Sequence, residues 1–490
     1  MSEETSTTSV EEGVPAEPPE QSERLPQAGG SPQSERSPVV VALVLALGAF
    51  VALLDTTIVG VAMHSFTEYF GVGLADAQWA STAYLLAMSS VIPATGWAAQ
   101  RFGAAHTWIA SLSVFLIGSL LCGTAWSMGS LIAFRVVQGF GASMLFPLMR
   151  IIVVEVAGRA QMGRMMTMMA VPLLVAPVLG PVLGGTLIQE LSWRWAFFLN
   201  VPIILAVVVL SARNLPNSKG EAPGRLDVAG LLTMGGGLVA LILGFSNLAK
   251  GTAATSPQVF LPAAIGLALL AAHGIRAARS RTPGVVDFSL FRDRAFTAST
   301  SITLLNNFGL YGVVVLVPLF FQQAGGKGPL GAGAIMVAQG IGTAVAVLLV
   351  GRVIDTKSNP RLLVLGGLLL VAAGLTTFAV ADTGEVTVLL LVALFAQGIG
   401  LALASSPIMV TLYHSLPATS VPAATTANAV SQQLGGAVGT ATVALLLQHY
   451  VYVAGGASAD FSAVFWWALL FVGLTAVPAL FLPPGAPKQA

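Results

Sequence analysis

The chain has 490 residues, 55% of them hydrophobic and 9% charged, with 22 Lys and Arg against 21 Asp and Glu. Soluble domains carry about 25% charged residues, so the composition excludes a water-soluble fold and implies an all-α polytopic membrane protein. A net charge of +1 with no basic stripe argues against a nucleic-acid partner, and the single cysteine, Cys122, excludes disulfides and thiolate metal sites.

Residues 1–37 hold eight of the 21 acids among Ser, Pro and Gly, without a basic start or an apolar core. That composition predicts a disordered cytoplasmic tail rather than a signal peptide. About 20 apolar residues cross a bilayer. Fourteen such windows follow, near 39–62, 78–99, 107–127, 130–153, 166–188, 197–213, 228–248, 259–277, 298–322, 331–351, 361–381, 386–413, 426–448 and 464–482. An even count puts both termini on one side. The loops after even-numbered spans, with Arg150, carry fifteen Lys and Arg, and the odd-numbered loops carry only Arg194, Lys250 and Lys327. The excess assigns the even-numbered loops and both termini to the cytoplasm.

In the first span the run Leu53-Leu54-Asp55-Thr56-Thr57 carries an acid, which costs at least about 2.5 kcal/mol at the centre of a spanning helix. Two readings explain it: a proton or cation site, or a carboxylate that pairs with a buried Arg and fixes helix packing. Arg135 is the corresponding base in span 4. At 1.5 Å per residue the two lie roughly 10 Å and 8 Å from the outer surface. A direct ion pair, a shared water network and a snorkelling Arg135 all fit these depths.

Two motifs recur along the chain. Gly96-Trp97-Ala98-Ala99-Gln100-Arg101-Phe102-Gly103 closes span 2, and Gly351-Arg352-Val353-Ile354-Asp355 closes span 10, an offset of 255 residues. Gln138-Gly139-Phe140-Gly141 in span 4 matches Gln397-Gly398-Ile399-Gly400 in span 12, an offset of 259. These offsets predict a six-helix bundle over 38–213, a linker over 214–280 with two extra spans, a second six-helix bundle over 281–483 and a short cytoplasmic tail over 484–490. The inserted pair, outside both units, is expected to be peripheral to any pathway. Parallel repeats of this kind bracket a central cavity in secondary transporters.

Span 5 reads Ala176-Pro177-Val178-Leu179-Gly180-Pro181-Val182-Leu183-Gly184-Gly185. Small residues four apart allow close helix approach, and proline bends the helix. Polar, uncharged candidates for a substrate cavity are Gln138, Asn306, Asn307, Gln397, Asn428, Gln432 and Gln433. The cluster Met165-Met166-Thr167-Met168-Met169 is a flexible surface or plain filler.

With these residues assembled, the chain resembles the major facilitator superfamily and, within it, the fourteen-helix drug–proton antiporter branch (EmrB/QacA-like), over nearly all of 38–482. Asp55-Thr56-Thr57-Ile58-Val59 resembles that branch's first-helix motif. Leu131 to Gly141, with Arg135, Gln138 and Gly139, is similar to the fourth-helix motif implicated in proton transfer. Gly180-Pro181 with Gly184-Gly185 resembles the antiporter motif, and Trp193 to Pro202 is similar to the start of helix 6. The chain departs from the pattern at Gln100, where an Asp is usual, at Ala104 and Ala105, where basic residues are usual, and at Gly60 and His64, where Asn and Pro are usual.

The resemblance implies a major facilitator fold and a plasma-membrane, proton-coupled exporter of hydrophobic or amphiphilic compounds. Asp55 and Arg135 would couple protons. Gly96, Gln100, Arg101, Gly103, Gly351 and Asp355 would form a cytoplasmic gate. It implies a monomer in the lipid bilayer, driven by the proton gradient, with no cofactor or metal. A dedicated exporter of one metabolite shares these mechanics. A sensor or scaffold would need no central acid, and a membrane enzyme finds no Ser/His/Asp set or nucleotide motif.

Overall fold

The computed structural model describes residues 37–216, 226–249, 255–279, 288–326, 329–354, 359–381, 386–414, 420–447 and 458–482, with positions 252, 416, 449 and 450. The tails over 1–36 and 484–490, and Asp355, lie outside the described residues. The described elements are helical: α1 Pro38–Phe70, α2 Leu74–Ala77, α3 Trp79–Val91, α4 Thr95–Phe102, α5 Ala104–Gly123, α6 Met128–Ser143, α7 Leu145–Glu190, α8 Trp195–Phe198, α9 Asn200–Asn214, α10 Val228–Ala249, α11 Pro257–Arg279, α12 Arg294–Gln323, α13 Pro329–Ile335, α14 Val337–Ile354, α15 Pro360–Ala379, α16 Val388–His414, α17 Val421–Leu447 and α18 Ser458–Ala479. Eleven helices among the described residues are long and apolar enough to cross a membrane. The protein is a multi-pass membrane protein.

Local chemistry sets the helix ends. Pro38 opens α1, where its missing N–H leaves no bond unmade, and Gly71 ends it at φ 64°, a left-handed conformation that glycine adopts without a Cβ clash. Ser127 and Ser130 form a reciprocal capping box at the start of α6, two turns before Arg135.

Three predicted spans differ in form. The second, 78–99, is not one helix: α3 gives way to a 3-10 turn at Ile92–Ala94 and then to α4. Pro93 sits in that turn, and without an N–H it cannot continue the α-helical bonding. Spans 4 and 5 share an element, because α7 runs unbroken over 46 residues. Straight, it would measure roughly 69 Å, more than twice the hydrocarbon thickness. Leu148 and Ile151 near its start and Met165 and Met169 further along lie in one buried cluster with Val41 and Val44 of α1, so the element serves two crossings. The two methionines are thus core residues.

Lipid tails are as apolar as leucine, so close approach and polar contacts select the packing. Residues of α1 to α9 fill two adjoining cores. Residues of α12 to α18 fill another, around the edge-to-face rings Phe320, Phe321, Phe378, Phe461 and Phe465. The repeated motifs make equivalent contacts. Gly139 of α6 backs onto the Tyr84 carbonyl of α3, and Gly398 of α16 onto the Gln339 carbonyl of α14, positions 259 and 255 residues apart. Gly118 and Gly374, 256 apart, likewise face Gln138 and Gln397.

The inserted hairpin departs from the sequence expectation. α11 is peripheral, with Phe260 64% and Leu267 62% exposed. α10 is not: Met234 and Leu238 are buried with Ile92, Val421 and Ala424, which belong to the two different repeats. Sequence offset places the pair outside the repeats but says nothing of where it docks. Arg276 of α11 makes two hydrogen bonds, 2.6 and 2.9 Å, to Asp227 before α10, and they hold the Asp227 carboxyl below the usual carboxylate range.

Gly139→Val and Gly398→Val should each destabilise the protein by a similar amount, about 1–3 kcal/mol, because each adds a branched side chain against a carbonyl. Denaturant unfolding in detergent checks this. A large cost at one glycine and none at the other would contradict the equivalence of the contacts.

Candidate functional site

Asp55 and Arg135 form a direct ion pair, Arg135 Nη1 to Asp55 Oδ2 at 2.6 Å, and neither is exposed. Each ion alone would carry the desolvation cost that the sequence implied. Together, with every strong partner supplied, they are sustained. Arg135 also donates from Nε to the Ala80 carbonyl at 3.0 Å and from Nη1 to Gln138 Oε1 at 2.7 Å. Its guanidinium carbon stands 4.0 Å from the centroid of the Tyr84 ring, a buried cation–π contact worth about 2 kcal/mol.

The carboxylate is held equally firmly. Asp55 Oδ1 accepts from Gln138 Nε2 at 2.9 Å and from Asn200 Nδ2 at 2.8 Å. Ser119 Oγ accepts from Asn200 at 3.1 Å and from Gln138 at 3.3 Å, and donates to the Phe197 carbonyl at 2.9 Å. One acid thereby ties α1 to α6 and to the first residue of α9, and through Arg135 to α3. Sequence reasoning missed Asn200 and Ser119. Asn200 lies inside the quoted Trp193–Pro202 stretch, and an amide at the start of an apolar helix needs a partner, which was the available signal. Neighbouring Trp193 and Arg194 have another task, packing against Phe66, Tyr69 and Phe70 at the end of α1.

Behind this network lies a cavity of about 700 Å³. Its wall includes Leu53 and Thr56 of α1, Tyr84 and Met88 of α3, Phe146 and Arg150 of α7, Phe245 of α10, Asn307 of α12 and Gln432 of α17. Among the described residues no carboxylate lines it. Tyr84 belongs to both structures: it faces the cavity and its ring covers Arg135.

Of the candidates for a substrate surface, Asn307, Gln432 and Gln433 line this cavity. The others do not. Gln138 serves the ion pair, Gln397 accepts from Gln339 Nε2 at 3.1 Å, Asn306 donates to Ser405 Oγ at 3.1 Å, and Asn428 is buried in α17. Gln432 accepts from Arg150 at 3.2 Å and Gln433 donates to Ser89 at 2.7 Å, so both also tie α17 to the first repeat. His64 pairs with Glu68 on the exposed surface.

Gly180 and Gly184 press α7 onto α1. A Cβ on Gly180 would overlap the Thr57 hydroxyl, and one on Gly184 would lie 3.1 Å from Ile58. Gly185 faces open space, and the Pro181 side chain lies outside the described residues. The close approach thus falls two and three residues from Asp55 along α1.

At the start of α4, a Cβ on Gly96 would lie 2.8 Å from the Thr426 hydroxyl and 3.0 Å from the Pro422 carbonyl, so the two repeats touch there through α17. Gln100 is half-buried, Arg101 is exposed, and Gly103 joins α4 to α5 at φ 83°. Gly351 lies in α14.

Arg135→Met should cost about 3–5 kcal/mol, since it strands a buried carboxylate. Adding Asp55→Asn should recover much of that loss, because the stranded charge is gone. Denaturant unfolding of the single and double variants measures the coupling, and strictly additive costs would contradict the pair.

The family profile described as Major Facilitator Superfamily matches residues 45–440 and 299–490. The chain is 36% identical over 409 residues to the "Multidrug resistance protein B homolog" of Mycobacterium tuberculosis, covering 83% of this chain and 75% of that one. It is 29% identical to the "Putative multidrug resistance protein MdtD" of Serratia proteamaculans, covering 89% and 91%, and 29% identical to the "Multidrug transporter protein MdtP" of Bacillus subtilis, covering 83% and 74%. Among solved structures, a double tryptophan variant of XylE aligns with a TM-score of 0.67 at 14% identity, covering 92% of this chain and 96% of that one. The human organic anion transporter MFSD10 aligns at 0.59 and 16%, covering 89% and 99%. The profile and the relatives agree with the helical architecture: this chain belongs to the major facilitator superfamily and is a transporter rather than an enzyme.

Proposed function

We propose that the protein is a proton-coupled antiporter of the fourteen-span drug-exporting branch, which expels hydrophobic or amphiphilic compounds across the plasma membrane. The names of its relatives support multidrug-type efflux. The fifteen-to-three excess of basic residues supports cytoplasmic termini. The reading takes the protein as a monomer that uses the proton gradient and no cofactor.

The observation that carries the proposal is the buried Asp55–Arg135 pair set directly behind the cavity wall. While Asp55 is ionised, it holds Arg135, Gln138 and Asn200 and so fixes α1 against α3, α6 and α9. A proton on Asp55 removes the negative charge and leaves Arg135 without its counter-ion in a dry site. The stranded cation gives the helices a reason to change their arrangement. Tyr84 and Thr56 touch both the cavity and this layer of the protein, so a bound compound and the proton act on the same residues. The wall is mostly apolar or neutral, which suits lipophilic compounds of low charge and tolerates varied shapes.

In this scheme Gly96 and Gln100 of α4, against α17, close the cytoplasmic path, with Arg101, Gly103, Gly351 and Asp355 flanking it. The close contact at Gly180 and Gly184 keeps α1 and α7 locked while Asp55 changes its charge, which limits proton leak.

Asp55→Asn should abolish uphill dye efflux in energised inverted vesicles while the protein still inserts and folds. Unchanged efflux would sink the proton-coupling role. Gly180→Leu places a branched side chain where Thr57 already sits, so it should lose export or leak protons, again without loss of insertion. Wild-type transport with a wild-type leak would make Gly180 ordinary helix surface.

A further inference from the structure

The α10–α11 hairpin lies outside both sequence repeats, yet α10 reaches the cavity. Ile242, Phe245 and Ser246 are spaced i, i+3 and i+4, which puts them on one helix face, and all three line the cavity. The face is held in place above and below. Toward its start, Gly235 is in contact with the Ser90 carbonyl of α3, and a Cβ there would overlap it. Met234 and Leu238 are buried with Ile92 and with Val421 and Ala424 of α17. Toward its end, Phe245 and Leu248 pack against Ala441 and Ala444 of α17.

α10 therefore fills the seam between the repeats, touching α3 on one side and α17 on the other. Its back is closed by α11, where Gly237 and Gly266 allow the two helices to meet, and α11 carries the exposed apolar surface. A helix placed this way closes one side of the cavity and adds the Phe245 ring to those of Tyr84 and Phe146 from the first repeat.

We propose that α10 is a third wall of the transport cavity, with Ile242, Phe245 and Ser246 as specificity-determining contacts for the apolar body of the substrate. The proposal rests on the efflux reading for the identity of the ligand class, and on the packing of α10 for its geometry. Phe245 is the largest of the three, so it sets how bulky a compound the cavity accepts on that side. Removing its ring favours bulk, and enlarging it favours small compounds.

Two measurements test this. A water-soluble charged methanethiosulfonate reacts with thiolates, which form in water and not in lipid. It should modify Ser246→Cys about tenfold faster than Phe260→Cys on α11, with the wild type and its buried Cys122 as the blank. Equal, slow reaction at both positions would overturn the wall. Binding of rhodamine 6G and of the smaller ethidium to purified protein is then compared by fluorescence. Phe245→Ala should raise the preference for rhodamine 6G and Phe245→Trp should lower it, separating the two variants by roughly tenfold. An unchanged ratio in both variants, or no binding of either dye by the wild type, would overturn the specificity role. Binding does not require pumping, so failure of the efflux reading would show instead as wild-type binding without transport.

Discussion

Much of the first repeat is arranged around one buried ion pair. A carboxylate in an apolar helix is tolerable only if its charge is answered, and Asp55 is answered by Arg135 at 2.6 Å and by two amides. Those donors come from α6 and α9, so satisfying the acid and assembling α1, α6 and α9 are one event. The same arrangement makes the bundle sensitive to a proton. Few single changes of charge touch so many helices at once, and this one is a layer away from the cavity through Tyr84 and Thr56.

The second repeat shows what the fold looks like without that pair. The glycine contacts are kept, with Gly398 on the Gln339 carbonyl as Gly139 is on that of Tyr84. Around it, however, Gln339 and Gln397, the counterparts of Tyr84 and Gln138, bond to one another as two neutral amides, and Leu394 stands at the position of Arg135. Backbone approach alone therefore supports the architecture, and the charge in the first repeat is an addition to it. This asymmetry favours a chemical role for Asp55 over a purely structural one, since a structural polar contact there needs no ion.

The two embedded charges were the most legible feature of the sequence, because an ionisable residue in an apolar run stands out, although their depths left a direct pair, a shared water network and a snorkelling Arg135 equally open. Their neutral supporters were not. Asn200 and Ser119 are residue types that occur in helices for many reasons, and only the fold shows that they converge on Asp55. Of the amides chosen as substrate contacts, Asn307, Gln432 and Gln433 line the cavity, whereas Gln138, Gln397 and Asn306 bond to side chains inside the protein. Glycine spacing in span 5 was read correctly as close packing, although only Gly180 and Gly184 face α1. Sequence position was misleading for α10, because order along the chain does not fix where a hairpin docks. The break at Pro93 was readable from the proline but was hidden in an otherwise apolar window.

In the proposed mechanism one carboxylate exchanges its proton as compounds bind. The most direct measurement is proton release on adding rhodamine 6G to purified protein in weakly buffered detergent. The wild type should release protons and Asp55→Asn should release none with the dye still bound. Equal release from both proteins, or none from the wild type with dye bound at any starting pH, would contradict that mechanism.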